Sequence, residues 1–86
     1  MKPKDKIIKV LEEMGFEDIQ LFYWNKDGWY LHCTEAKHFL IGYNYKHAIE
    51  ELIKHGTKYN VLRYDAGMPD YMFDENQQLK EYYKYD

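Results

Sequence analysis

The side chains that could do covalent chemistry in this chain are few, because it has one cysteine, Cys33, and no serine. A cysteine becomes a nucleophile when a neighbouring base favours its thiolate. His32 adjoins Cys33, but successive residues of a strand point to opposite faces, so only His38 on a following strand could reach the thiol. Cys33 also alternates with Leu31 and Trp29, as a small core residue does. The pattern favours a buried thiol without a catalytic role.

The histidines do not have the spacing of a metal site. None of the four forms a His-x3-His pair, and that spacing is the one a helical zinc site needs. His47 and His55 lie two turns apart on a predicted helix, which is too far for a shared metal. The chain also lacks a glycine-rich phosphate loop. We therefore expect no catalytic residue, no metal and no cofactor, and the sequence favours a non-enzymatic protein.

Tyrosines and acidic residues concentrate in the last third of the chain. Residues 59–86 hold six of the ten tyrosines and six acids against three basic residues, whereas residues 1–58 carry nine of each charge. Charge steers the encounter with an oppositely charged protein, and tyrosines supply much of the energy at interfaces. We predict that a basic protein partner binds Asp65, Asp70, Tyr71, Phe73, Asp74, Glu75, Glu81, Tyr82, Tyr83 and Tyr85.

The elements that would position these residues follow from hydrophobic periodicity. Apolar residues at helical spacing predict helices over 3–14 and 45–55. The turn sequence Asn25-Lys26-Asp27-Gly28 predicts a hairpin between two strands. The fold class is thus predicted to be α+β, in α-β-β-β-α order, with a three-stranded antiparallel meander packed on two helices. Alternation predicts the strands at 17–24, 29–34 and 38–43.

The last third of the chain is less regular. Residues 58–64 fit either a fourth strand or a short helix. Asp74 followed by Gln77 has the spacing of a capping box, which predicts a C-terminal helix over about 75–83. We divide the single predicted domain into an α-β-β-β-α core, residues 1–58, and an acidic, tyrosine-rich C-terminal segment, residues 59–86.

One face of the predicted sheet carries aromatic side chains. The two helices should cover the more aliphatic face, and a monomer rarely leaves a large aromatic patch exposed. Either the C-terminal segment folds over this patch, which would make its tyrosines packing residues, or a second copy covers it in a homodimer. The candidate sheet-face interface consists of Phe22, Trp24, Tyr30 and His32.

Charge and hydropathy disfavour two classes of partner. Nucleic-acid binding normally needs a basic stripe, and this chain of net charge −3 has none. No run approaches the roughly 20 apolar residues of a membrane helix. The first residues lack the apolar core of a signal peptide, and a lone cysteine fits a reducing compartment. We expect a cytoplasmic protein of a bacterial host.

Two families share the predicted element order. Residues 8–16 resemble the opening helix and Gly-Phe exit of small HicA-type toxin ribonucleases. The Gly-Ser-His of that family's second strand is replaced here, and only His32 could stand in for its histidine. The double-stranded-RNA-binding domain has the same order but needs a basic cluster at its last helix, where this chain has Lys46 alone. A small HicA-like ribonuclease or an RNA-binding domain is therefore the alternative function.

The outline of the chain also resembles small phage-encoded anti-CRISPR inhibitor proteins. The turn Asn25-Lys26-Asp27-Gly28, the helix over 45–55 and the acidic end match a helix, a three-stranded meander and acidic helices behind it. The resemblance implies that acidic residues imitate nucleic-acid phosphates in a basic groove of the target. It favours a phage or mobile-element inhibitor of a basic, nucleic-acid-handling protein.

Overall fold

Helices and strands follow one another as the hydrophobic pattern predicts. The computed structural model describes residues 2–24 and 26–84, which form an α+β fold around a three-stranded antiparallel sheet of order β1-β2-β3. The predicted α-β-β-β-α order is confirmed, and a third helix follows it. The elements are α1 (Pro3–Glu13), β1 (Gln20–Trp24), β2 (Gly28–His32), β3 (Phe39–Gly42), α2 (Tyr45–His55) and α3 (Lys58–Tyr64).

Local capping contacts set the ends of the first two helices. The chain leaves α1 through Gly15, whose φ of +96° suits a residue without a Cβ. The N–H of Phe16 then donates to the carbonyl of Leu11 at 3.0 Å, which satisfies one free carbonyl of the last turn. At the start of α2, the side chain of Asn44 accepts a hydrogen bond from the N–H of His47 at 2.8 Å.

Residues 58–64, whose sequence fits either a fourth strand or a short helix, form a helix. The Thr57 hydroxyl accepts a hydrogen bond from the N–H of Asn60 at 3.1 Å, so a new helix begins directly after the end of α2. Val61 and Leu62 are buried at 0% and 1% exposure. Burial of two adjacent side chains fits a short helix that packs against both the core and the C-terminal segment.

The sheet buries one face, and the alternation of its strands determines which one. Leu21 pairs with Leu31 across β1 and β2, and Leu31 pairs with Phe39 across β2 and β3. All three are buried in one cluster with Cys33 and Ile41. Contacts of α2 with β3 and of α1 with α2 place the helices on this side of the sheet. The predicted assignment of faces is therefore correct.

The close approach of α2 to β3 depends on a glycine. A Cβ added at Gly42 would lie 2.4 Å from the Cα of Ala48 and 2.5 Å from its backbone N. Ala48 is fully buried. Two of the smallest side chains therefore set the distance between the helix and the sheet.

The predicted C-terminal helix over about 75–83 is wrong. The Asp74 carboxylate accepts hydrogen bonds from the N–H groups of Asn76 at 2.8 Å and Gln78 at 3.0 Å, closing a turn where the helix should begin. This turn brings Phe73 and Leu79 together in an antiparallel bridge. Short side chains such as aspartate compete with helices by bonding to nearby backbone groups. Only the 3-10 turn at Glu81–Tyr83 is helical in this region.

The C-terminal segment is attached to the rest of the molecule by buried apolar side chains. Met68, Phe73 and Leu79 are 9%, 6% and 6% exposed and belong to the same cluster as the helices and the sheet. The N–H of Lys80 donates to the carbonyl of Met72 at 2.9 Å. The segment is thus a folded loop that packs on the core.

Candidate functional site

Residues 70–84 of the C-terminal segment expose tyrosines and acids, together with amides and lysines. Tyr71 and Tyr82 are 65% and 89% exposed. Tyr83 is half-buried, and the acidic residues between and beside these rings are exposed. We call this set the acidic tyrosine surface, and it consists of Asp70, Tyr71, Asp74, Glu75, Glu81, Tyr82 and Tyr83.

Tyr83 contacts each of the other two tyrosines of the acidic tyrosine surface edge to face. The ring centroid of Tyr83 lies 6.1 Å from that of Tyr71 and 5.1 Å from that of Tyr82, with the planes 63° and 82° apart. Such contacts are worth about 0.5–1.5 kcal/mol beyond the area they bury. Tyr83 therefore contacts both of the exposed rings and limits the orientations they can take.

The carboxylates of this surface differ in how far they are neutralised. Glu81 lies 3.1 Å from the ammonium of Lys84, in a pair that is largely exposed. Asp70 accepts a hydrogen bond from the Tyr59 hydroxyl, and this bond raises the pKa of the Tyr59 phenol. Glu75 makes no ion pair with any residue of 2–24 or 26–84. Glu75 is therefore the carboxylate most available to an incoming cation.

Two residues of the predicted partner-binding set, Phe73 and Asp65, lie away from this surface. The ring of Phe73 is in the core, where it meets the ring of Tyr59 edge to face at 5.0 Å, so its role is packing. Asp65 is largely buried against α2. Tyr85 falls outside the described residues. The sequence neighbours of a single aromatic residue in an acidic stretch do not indicate whether its side chain is buried. The sequence alone therefore places Phe73 in the partner-binding set.

A second polar group joins α2 to the end of α3. Nε2 of His55 lies 3.2 Å from Oδ1 of Asp65, with both side chains less than 20% exposed. Closer to the start of α2, Nε2 of His47 lies 3.2 Å from Oε1 of Glu51. Burial raises the pKa of Asp65, and the adjacent His55 opposes part of that effect. His55 is thus a structural partner of Asp65 and not the surface residue that helix periodicity indicates.

Asp65→Asn should remove a pH dependence from the stability of the fold. Burial raises the pKa of Asp65 above its ordinary 3.8, so the native state keeps this proton to higher pH than the unfolded chain does. Its contribution to stability is therefore fully present below the ordinary pKa and declines as pH rises to the raised one. Urea unfolding from about pH 3 to 7 should show wild type losing stability relative to Asp65→Asn within this window. A constant difference would contradict the assignment.

The chemistry available to Cys33 is limited by its surroundings. The thiol is 2% exposed, and burial raises its pKa. The ring of His38 lies on the opposite side of the sheet, 5.5 Å from the ring of Phe22 and 5.4 Å from that of His32. Histidine is therefore not placed to activate the thiol, and the interpretation of Cys33 as a core residue is confirmed.

The outer face of the sheet carries an open groove of about 570 Å³. Three members of the candidate sheet-face interface line it, and His32 lies beside it against the ring of His38. No residue of 59–84 is among the lining residues, so the described part of the C-terminal segment does not fold over this face. The groove is lined by Gln20, Phe22, Trp24, Asp27, Tyr30 and His38.

The structure adds three residues to this face that the sequence argument did not select. His38 begins the third predicted strand on the same side as Leu40, so strand alternation alone could have placed it there. Gln20 follows from the same alternation on β1. Asp27 belongs to the turn, and its position beside the rings depends on the hairpin geometry, which alternation does not describe.

Comparison of the chain with protein-family models, with curated proteins and with solved structures gave no match. No group of three histidine, cysteine or acidic side chains within the described ranges could hold a metal ion. None of the helices in this part of the chain is long and apolar enough to cross a membrane.

Proposed function

We propose that this chain is a small protein-binding module that holds a basic protein through its acidic tyrosine surface. The observation that supports this is the combination of a docked loop and exposed rings. Phe73 and Leu79 fix the segment from below, while Tyr71 and Tyr82 extend into solvent. Rings held in this way lose little conformational entropy on binding, which is a property of interface hot spots.

The charge of the surface indicates the chemistry of the partner. Acidic side chains next to exposed rings suit a partner rich in arginine and lysine, since charge complementarity speeds the encounter and rings supply the short-range energy. A protein that handles nucleic acid carries such a basic groove for phosphates. We therefore propose that the chain inhibits a protein of this class by occupying its phosphate-binding groove, as a phage or mobile-element inhibitor would.

The proposal is tested by charge reversal at positions that do not hold the loop together. Glu75→Lys with Glu81→Lys removes two exposed carboxylates and leaves the turn-forming Asp74 in place. We expect the immobilised double variant to lose at least about tenfold in affinity for the basic protein that wild type captures from a bacterial lysate. The matched control is Glu12→Lys with Glu13→Lys, which makes the same change in net charge on the exposed side of α1.

Salt and side-chain truncation separate this proposal from its alternatives. Wild-type capture should weaken as salt rises, because exposed charge pairs are screened. Tyr82→Ala should weaken it at every salt concentration. Equal capture by wild type and by the Glu75/Glu81 variant, or equal loss in both charge-reversed variants, would refute the proposed surface. Loss of an RNA-cleaving activity in His32→Ala, with capture unchanged, would support the ribonuclease alternative.

A further inference from the structure

The groove on the outer face of the sheet is built from rings that the strand register brings together. Phe22 and Tyr30 are direct partners across β1 and β2. Trp24 lies two residues further along the same face and is 60% exposed. Its cross-strand partner is Gly28, which has no side chain to cover the indole. His38 closes the other end with its ring against Phe22 at 5.5 Å.

The charge of the groove selects the sign of its ligand. The faces of aromatic rings carry negative potential and attract cations. Asp27 is the one charged side chain among the described lining residues, and no lysine or arginine lines the groove there. The Asp27 carboxylate makes no ion pair within 2–24 and 26–84. Three aromatic rings and one unpaired carboxylate fit a cationic group.

The same features disfavour the other occupants of an aromatic sheet face. A nucleotide could stack its base on these rings, but its phosphate needs a basic side chain close by. A second copy of the chain would bring a second Asp27 against the face, with no basic lining residue to neutralise either carboxylate. Buried carboxylates without partners are costly. The groove volume is within the range of ligand sites and exceeds a single side chain, so it has room for the flanking backbone of a peptide.

We infer that this groove binds the cationic side chain of an arginine or lysine within a peptide segment. The guanidinium or ammonium group lies among Phe22, Trp24 and Tyr30, with Asp27 as its counter-ion. The site does not include the acidic tyrosine surface, since no residue of 59–84 lines the groove. The inference therefore stands or fails separately from the proposed function.

The test uses the full chain and a defined pair of peptides. One is acetyl-Gly-Gly-Arg-Gly-Gly-amide, and the other carries citrulline, the uncharged isostere of arginine, at the central position. Binding is followed by the indole N–H resonance of Trp24 in NMR titrations. We expect saturable shifts with the arginine peptide and at least about tenfold weaker binding of the citrulline peptide. Equal binding of the two peptides, or no binding of either, would overturn the inference.

Two variants locate the site, and the resonances of the whole backbone report their binding. Trp24→Ala should weaken the arginine peptide about tenfold. Asp27→Asn should weaken it about threefold and preserve the hairpin, because asparagine has the same shape as aspartate and the turn is closed by the backbone N–H of residue 27, which donates to the carbonyl of Trp24 at 2.8 Å. The matched control is Tyr64→Ala, which removes a ring that is 70% exposed and lies outside both the groove and the acidic tyrosine surface, and which should bind as wild type does. Tighter binding of adenosine monophosphate than of the arginine peptide would show that the groove holds a nucleotide and would overturn the inference. A wild-type dimer that becomes a monomer in Trp24→Ala would show that a second copy covers the groove and would overturn it as well.

Discussion

Phe73→Ala is expected to lower the free energy of unfolding by about 3–5 kcal/mol, as removal of a buried phenylalanine usually does. The ring is 6% exposed, contacts the ring of Tyr59, and bridges to Leu79 through the backbone. Its loss would leave a cavity beneath the whole C-terminal segment. A chain of this length is stable by about 4–13 kcal/mol, so the variant should unfold at much lower urea concentration.

The control for this prediction is Tyr71→Ala in the same segment. Tyr71 is 65% exposed, so its removal should change stability by less than about 1 kcal/mol. The sequence alone groups these two aromatic residues as contacts for a partner. Urea titrations that gave the two variants the same midpoint would contradict the division of the segment into a buried anchor and an exposed surface.

Gly42→Ala is expected to cost about 3 kcal/mol or more, because overpacking against backbone atoms cannot be relieved by a change of rotamer. The added methyl carbon would lie 2.4 Å from the Cα of Ala48 and 2.5 Å from its backbone N, and α2 must move away from β3 to relieve these contacts. Thermal unfolding followed by circular dichroism measures the loss.

Two further variants separate this steric effect from general glycine effects. Gly67→Ala places a methyl group where nothing lies within 4 Å, and its φ of +70° should cost only about 1–2 kcal/mol. Ala48→Gly in the Gly42→Ala background should not restore stability, since the backbone of residue 48 makes the contact. Full recovery in that double variant would contradict the backbone clash.

The parts of the fold that the sequence predicts are those set by local rules. Alternation along the strands places Leu21 and Leu31 on the buried face, because the side-chain period of a strand is fixed at two. The contacts that end α1 at Gly15 and begin α2 at Asn44 are of the same local kind, since each depends on bonds within one turn of a helix. Strand alternation also places Trp24 correctly among the exposed rings on the outer face of the sheet.

The parts that the sequence does not predict depend on competition or on distant contacts. The capping-box spacing after Asp74 is genuine, but its carboxylate closes a turn with Asn76 and Gln78 instead of starting a helix. The contact of His55 with Asp65 joins two residues that are ten apart in the sequence and lie on different elements, and no periodicity describes it. Burial of Phe73 likewise follows from tertiary packing.

The acidic tyrosine surface exists only while the C-terminal segment stays packed on the core. Met68, Phe73 and Leu79 hold it, whereas the sheet and the first two helices share a larger set of fully buried side chains. Elements with few buried contacts open at lower free energy than the whole molecule. Amide hydrogens of residues 70–84 should therefore exchange with solvent deuterium before those of the strands. On warming, the arrangement of exposed tyrosines and carboxylates would be lost while most of the secondary structure is still intact.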